Sequence, residues 1–271
     1  MKFIFMFLLS ISYLFSSSAV KELYYTSKSY DYLPSTKEDF NSSLELFKMI
    51  ISNDKNHTKI DKELYRLGFK LSKIDNLLII SDKFNRGWGF YILRLEKSRD
   101  IMLSIPHRFS DLNTGSIGYK LMLNYPFKAI AFNTSNRKIK DVTHSKNVIF
   151  NAFHLAFTQI YQKTSLYQLH GFAQEKRKNK DARDTNIILS NTTSNTDSLK
   201  KIYECTHIIG DYNIKIFNKD IFELGGVKNA QSSLLKSNGY SNFIHIELDK
   251  SFRDSLLKDK ILIKKFQSCL L

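Results

Sequence analysis

Cysteine is almost absent: Cys205 and Cys269 are the only two in 271 residues. A pair so widely separated does not form a zinc-finger site, and neither residue has neighbours that suggest a catalytic thiol. In an oxidising compartment the two could form one disulfide tying the C-terminal tail to the domain. Glycine is sparse too, at 10 residues. None is spaced as a Walker loop or a dinucleotide fingerprint, so the common phosphate-cradling nucleotide folds are excluded. Past the N-terminal stretch there is no apolar run of the roughly 20 residues that a membrane-spanning helix needs. No internal repeat occurs, and so no solenoid is expected.

Acidic residues are also in deficit, 26 against 41 lysines and arginines, which leaves a formal charge of +15. Such a balance can serve a nucleic-acid or anionic surface. Here lysine far outnumbers arginine, asparagine and isoleucine are abundant, and the basic residues are dispersed apart from Lys176–Lys180 and Lys258–Lys265. No nucleic-acid motif accompanies them, so no nucleic-acid partner is expected. Residues 1–19 read differently from the rest. Lys2 is a short basic start, Phe3 to Phe15 is mostly apolar, and Ser17-Ser-Ala19 offers small residues for cleavage, the pattern of a secretory signal peptide. The mature chain is therefore expected to begin near Val20, in the periplasm or outside the cell, with no stable membrane insertion once the signal is removed.

The remainder is long enough for one large core. Residues 20–35 read as an extended leader, and Ser35-Thr-Lys-Glu38 as a capping-box-like start to a helix reaching Ser52. Together these make a segment, 20–60, of N-terminal extension and helix. From 61 to 271, apolar strand-like runs alternate with helical stretches. The strands fall near 76–81, 89–94, 101–105, 128–133, 165–169, 185–190, 213–217 and 242–248; the helices near 60–67, 145–162, 197–205 and 250–257. This order predicts a single α/β domain with a mixed, mostly parallel sheet flanked by helices.

Two histidines stand where apolar runs stop: His107 in Ile105-Pro-His-Arg-Phe-Ser-Asp111, and His170 in Gln168-Leu-His-Gly-Phe172. Residues just past the carboxyl ends of buried strands lie on the rim where α/β proteins bind ligands. His107, Asp111 and His170 would supply three ligands to a catalytic zinc with its fourth position open. In Phe243–Leu248 the alternation puts His245 and Glu247 on one face. Glu247 suits a general base, whereas His245 reads as a half-exposed strand residue. Asn136, Arg137, Asp141 and His144 form a polar cluster after a strand. Arg137 can grip a carboxylate through two parallel hydrogen bonds, and Asp141 with His144 is an alternative metal pair. The segment from Lys176 to Asp184 reads as a mobile basic loop near the site.

The order Pro106-His107…Asp111, Asn136-Arg137…Asp141-Val-Thr-His144, Leu169-His170-Gly-Phe172 and His245-Ile-Glu247-Leu resembles the zinc-carboxypeptidase-like hydrolases, including relatives of N-formylglutamate amidohydrolase. The likeness spans about residues 100–255 of the chain. It implies a phosphorylase/hydrolase-like fold in which His107, Asp111 and His170 hold zinc, Asn136 and Arg137 grip substrate, and Glu247 activates water. The first motif is His-x-x-x-Asp, one residue longer than the usual His-x-x-Glu of carboxypeptidases. Glu223 is the alternative base. The expected activity is zinc-dependent cleavage of an amide or peptide bond, in a small peptide or N-acyl amino acid that bears a carboxylate. Two other readings stay open: an inactive secreted binding protein on the same fold, and a basic surface or nucleic-acid-binding protein.

Overall fold

The computed structural model describes residues 18–192 and 197–271. Apart from residues 18 and 19, the expected signal peptide lies outside the described residues. The strands are β1 (Phe69–Ile74), β2 (Leu77–Asp82), β3 (Phe90–Arg94), β4 (Arg99–Ile105), β5 (Phe127–Phe132), β6 (Ser165–Phe172), β7 (Ile187–Ser190), β8 (Ile214–Ile216) and β9 (Phe243–Asp249). They form one nine-stranded sheet in the order β1-β2-β3-β5-β4-β6-β9-β7-β8. The centre, β5-β4-β6-β9, is parallel. The β1-β2-β3-β5 side is antiparallel, and β7 runs antiparallel to β9 but parallel to β8. The sheet is mixed as expected, but parallel and antiparallel pairings are evenly divided rather than mostly parallel.

Helices cover both faces. On one side α2 (Lys37–Ile51), α3 (His57–Leu67), α5 (Ile149–Ile160) and α8 (Ala230–Ser237) close over Ile80, Tyr91, Met102, Ala129 and Leu166. On the other, α1 (residues 18–26), α4 (Thr114–Asn124), α7 (Asp197–His207), α9 (Lys250–Lys258) and α10 (Lys260–Leu270) bury Ile101, Leu103, Ile105, Leu169 and Ile246. Alternation along each strand assigns these two sets to opposite faces. A short helix, α6 (Lys180–Arg183), and 3-10 turns at Val142–His144 and Gln174–Lys176 lie in the connections.

Several sequence expectations are corrected here. The leader is not extended throughout, because residues 18–26 are helical with Val20 and Tyr24 buried. The capping box of α2 is Thr36 with Asp39, one residue later than Ser35 with Glu38. Helix α2 packs its buried face into one core cluster with α3 and α5. Residues 176–184 include α6 and part of a 3-10 turn. Cys205 and Cys269 do pair, joining α7 to α10. Among the described residues, no helix is long and apolar enough to cross a membrane.

Candidate functional site

The polar groups gather at the carboxyl ends of β4, β6 and β9, on the face that carries α5 and α8. Parallel pairing sets Gln168 beside His245 and His170 beside Glu247. Both strands run on to the rim, so their alternate residues pass from apolar Leu166 and Phe243 inside to these four polar side chains. His107 and Asp111 come from the turn after β4. The Asp111 N–H donates to the His107 carbonyl at 2.8 Å, closing one helical turn. Residues four apart on such a turn share a side. The His-x-x-x-Asp spacing thus brings both side chains to one point.

His107, Asp111 and His170 converge there, with ligand atoms all within 4.8 Å of one another. The Asp111 Oδ2 lies 3.4 Å from His107 Nδ1 and 3.3 Å from His170 Nδ1. It also accepts the Gly171 N–H at 3.0 Å. On the far side of each ring, His107 Nε2 lies 3.0 Å from Asp141 Oδ1, and His170 Nε2 lies 2.9 Å from Gln168 Oε1. Each acceptor favours an Nε2–H tautomer, which leaves a lone pair on Nδ1 facing the shared point. His107 Nδ1 is buried without a hydrogen-bond partner. An orphaned imidazole nitrogen, a second aimed at the same point and a carboxylate between them make a donor set able to hold a metal ion.

The electrostatics follow from burial and pairing. Burial opposes a charge on His107, yet Asp111 and Asp141 outweigh it and raise its pKa. For His170, burial and the neighbouring His245 outweigh the opposing effects of Asp111 and Glu247 and lower its pKa to about 4. Burial alone would favour neutral Asp111 and Asp141. The neighbouring imidazoles of His107 and His170 at Asp111, and His107, Thr143 and His144 at Asp141, hold both well below the usual carboxylate range.

Glu247 is buried on the same face, with Oε1 3.2 Å from His245 Nε2. His245 therefore orients the carboxylate rather than standing half-exposed. Gly226, at φ +63°, brings its loop against this ring, where a Cβ would come within 3.0–3.2 Å of the imidazole. Gln168 anchors the network behind the histidines. It accepts from Asn229 Nδ2 and donates to Gln231 Oε1, and Gln231 in turn donates to Asn151 Oδ1 at 3.1 Å. Asn229 caps α8, and through Gln168 this helix start is wired to His170. Burial of amides among apolar strands was the available signal, but only the fold shows that they meet.

The remaining expected residues fall elsewhere. Asp141 does not join the three ligands; it holds His107, accepts from Arg137 Nε at 2.9 Å and meets His144 Nδ1 at 3.0 Å. His144 is half exposed and faces Asp141. Arg137 lines the cleft with one nitrogen committed to Asp141. Asn136 does not form a clamp with it, because its Oδ1 accepts the Lys138 N–H in a local turn. Glu223 lies outside the residues that line the cleft; its carboxylate accepts the Asn179 N–H and tethers the basic segment. The cleft holds about 750 Å³, and Lys176, Arg177, Lys228 and Lys250 make its rim cationic.

The chain matches no family model, and no curated protein matches it. Solved structures similar to it include a zinc-free apo form of YndL, with TM-score 0.36 and 16% identity over 64% of this chain and 84% of that one. Another is N-formylglutamate amidohydrolase from Ralstonia eutropha JMP134, with TM-score 0.46 and 8% identity over 68% of this chain and 96% of that one. The residue roles argued below rest on the geometry of this chain.

Proposed function

We propose that the protein is an exported, zinc-dependent hydrolase that cleaves an amide or peptide bond in a carboxylate-bearing substrate, of the carboxypeptidase or amidohydrolase type. The observation that carries this reading is the convergence of His107 Nδ1, His170 Nδ1 and Asp111 beside Glu247 in one cleft. His107, Asp111 and His170 would hold the metal, and zinc there would supply Lewis acidity that polarises a carbonyl and acidifies water. Asp141 and Gln168 keep the two imidazoles turned toward the metal position. Glu247, fixed by His245, takes a proton from the attacking water and passes it to the leaving amine. The cationic rim draws in a substrate carboxylate. The Cys205–Cys269 disulfide suits a periplasmic or secreted location.

A panel of small peptides and N-acyl amino acids, assayed with and without added zinc, tests the reading. The expected result is turnover that requires zinc and falls by about 10²–10⁴-fold in Glu247→Gln, which keeps size but not basicity. That variant should still bind zinc. Wild-type protein that binds zinc and cleaves none of the panel would favour a binding protein on this fold.

A further inference from the structure

Arg253 is the most deeply buried of the described lysines and arginines that line the cleft. It lies in the first turn of α9, which begins as β9 ends, six residues beyond Glu247. Its side chain folds back into the site and is only 4% exposed while still lining the cleft. Nε donates to the Leu112 carbonyl at 2.6 Å, and Nη1 donates to the carbonyls of Phe172, at 3.2 Å, and Leu248. Those three carbonyls adjoin Asp111, the end of the His170 strand, and Glu247. A single guanidinium thus bridges the backbone of the three segments that carry Asp111, His170 and Glu247.

The position is built for close approach. At Gly171 a Cβ would lie 2.5–2.6 Å from Nη1 and Cζ of Arg253, so any side chain there would displace the guanidinium. Among the described residues Nη2 has no hydrogen-bond partner, unlike the other two nitrogens. Burial disfavours the charge, but the fields of Asp111, Asp249, Glu247 and Asp254 act on it in the opposite sense. Lysines 176, 228 and 250 are flexible point charges on the rim, and Arg137 is half exposed with Nε on Asp141. A pre-oriented guanidinium with one uncommitted nitrogen loses less freedom when it binds an anion.

We propose that Arg253, through Nη2, is the group that grips the substrate carboxylate, and that the substrate is a compound whose free carboxylate lies close to the amide presented to Glu247. This rests on the hydrolase reading above for its substrate class. Arg137 instead steadies Asp141 and, through it, His107.

The test compares N-acetyl-L-alanine with N-acetyl-L-alaninamide, which lacks the carboxylate. Binding is followed by NMR titration of the metal-free protein, so that the carboxylate cannot settle on zinc. Wild type should bind the acid about 10–100-fold more tightly than the amide, the scale of a charge-assisted contact. Arg253→Gln should abolish that preference, Arg253→Lys should keep part of it, and Arg137→Gln should keep it all. A preference that survives Arg253→Gln, or that is lost in Arg137→Gln, overturns the proposal. Because Arg253 also braces three carbonyls, a wild-type crystal soaked in N-acetyl-L-alanine gives an answer free of folding effects: carboxylate density on Arg253 supports the proposal, and density on Arg137 refutes it. An acid preference that depends on Arg253, with no hydrolysis of either compound in zinc, would overturn the hydrolase reading and leave the carboxylate site standing.

Discussion

His107 and His170 are set in the same tautomer by unlike partners, a carboxylate for one and a neutral amide for the other. Asp141→Asn removes the charge behind His107 while retaining an acceptor, and zinc affinity should fall about 10–100-fold. His170→Ala should lose zinc altogether, since it deletes one of three protein ligands. Metal titration of both variants checks this, and equal affinities would show that Asp141 acts only as a loop brace. A different histidine governs acid stability. His154 is fully buried in α5, with Nδ1 2.6 Å from the Phe150 carbonyl, and burial lowers its pKa to about 3. The unfolded chain takes up this proton near pH 6.5, whereas the folded chain resists it. Stability should therefore be unaffected by His154 above that pH and decline as pH falls from about 6.5 toward 3. His154→Leu should flatten the decline in denaturant titrations over that window.

At the level of elements, the strands that hold the site were legible and some of their surroundings were not. β4, β6 and β9 are buried on both faces, so they stand out as apolar runs, and period-two alternation placed Glu247 and His245 together. β1 escaped notice because Lys70, Ser72 and Lys73 interrupt its apolar pattern at the sheet edge. α10 hid behind Lys264 and Lys265, although Leu262, Ile263 and Phe266 form its buried face. The Asn136–Arg137 pair was misleading because sequence adjacency does not keep two side chains on one side of a turn. Arg253 is not legible in the sequence, because no local pattern marks a guanidinium that folds back onto three distant carbonyls. The loop that presses on His245 provides an element-scale test. Gly226→Ala adds a Cβ both at positive φ and against the ring, so His245 must shift and carry Glu247 with it. Turnover should fall while zinc binding persists; unchanged turnover would mean that His245 does not position the base.

For the molecule as a whole, the disulfide closes a loop with a sequence separation of 64, locking α10 to α7 on the face opposite the site. In the chain-entropy picture a loop of this size contributes about 4 kcal/mol. The double variant Cys205→Ser/Cys269→Ser should unfold at correspondingly lower denaturant while binding zinc normally when folded. Loss of zinc affinity in the folded variant would show that the C-terminal helix reaches the site through the sheet. The net charge of +15 has its functional part at the cleft, where it should raise the association rate of anionic substrates and make that rate fall with salt.

The central claim is that His107, Asp111 and His170 hold zinc, and anomalous diffraction from crystals of zinc-loaded protein tests it most directly. The account predicts one zinc in the cleft, on Nδ1 of both histidines and on the Asp111 carboxylate, with Asp141 still bonded to His107 Nε2. Zinc bound through Nε2, zinc held by Asp141 and His144, or an empty cleft in protein carrying zinc elsewhere would contradict it.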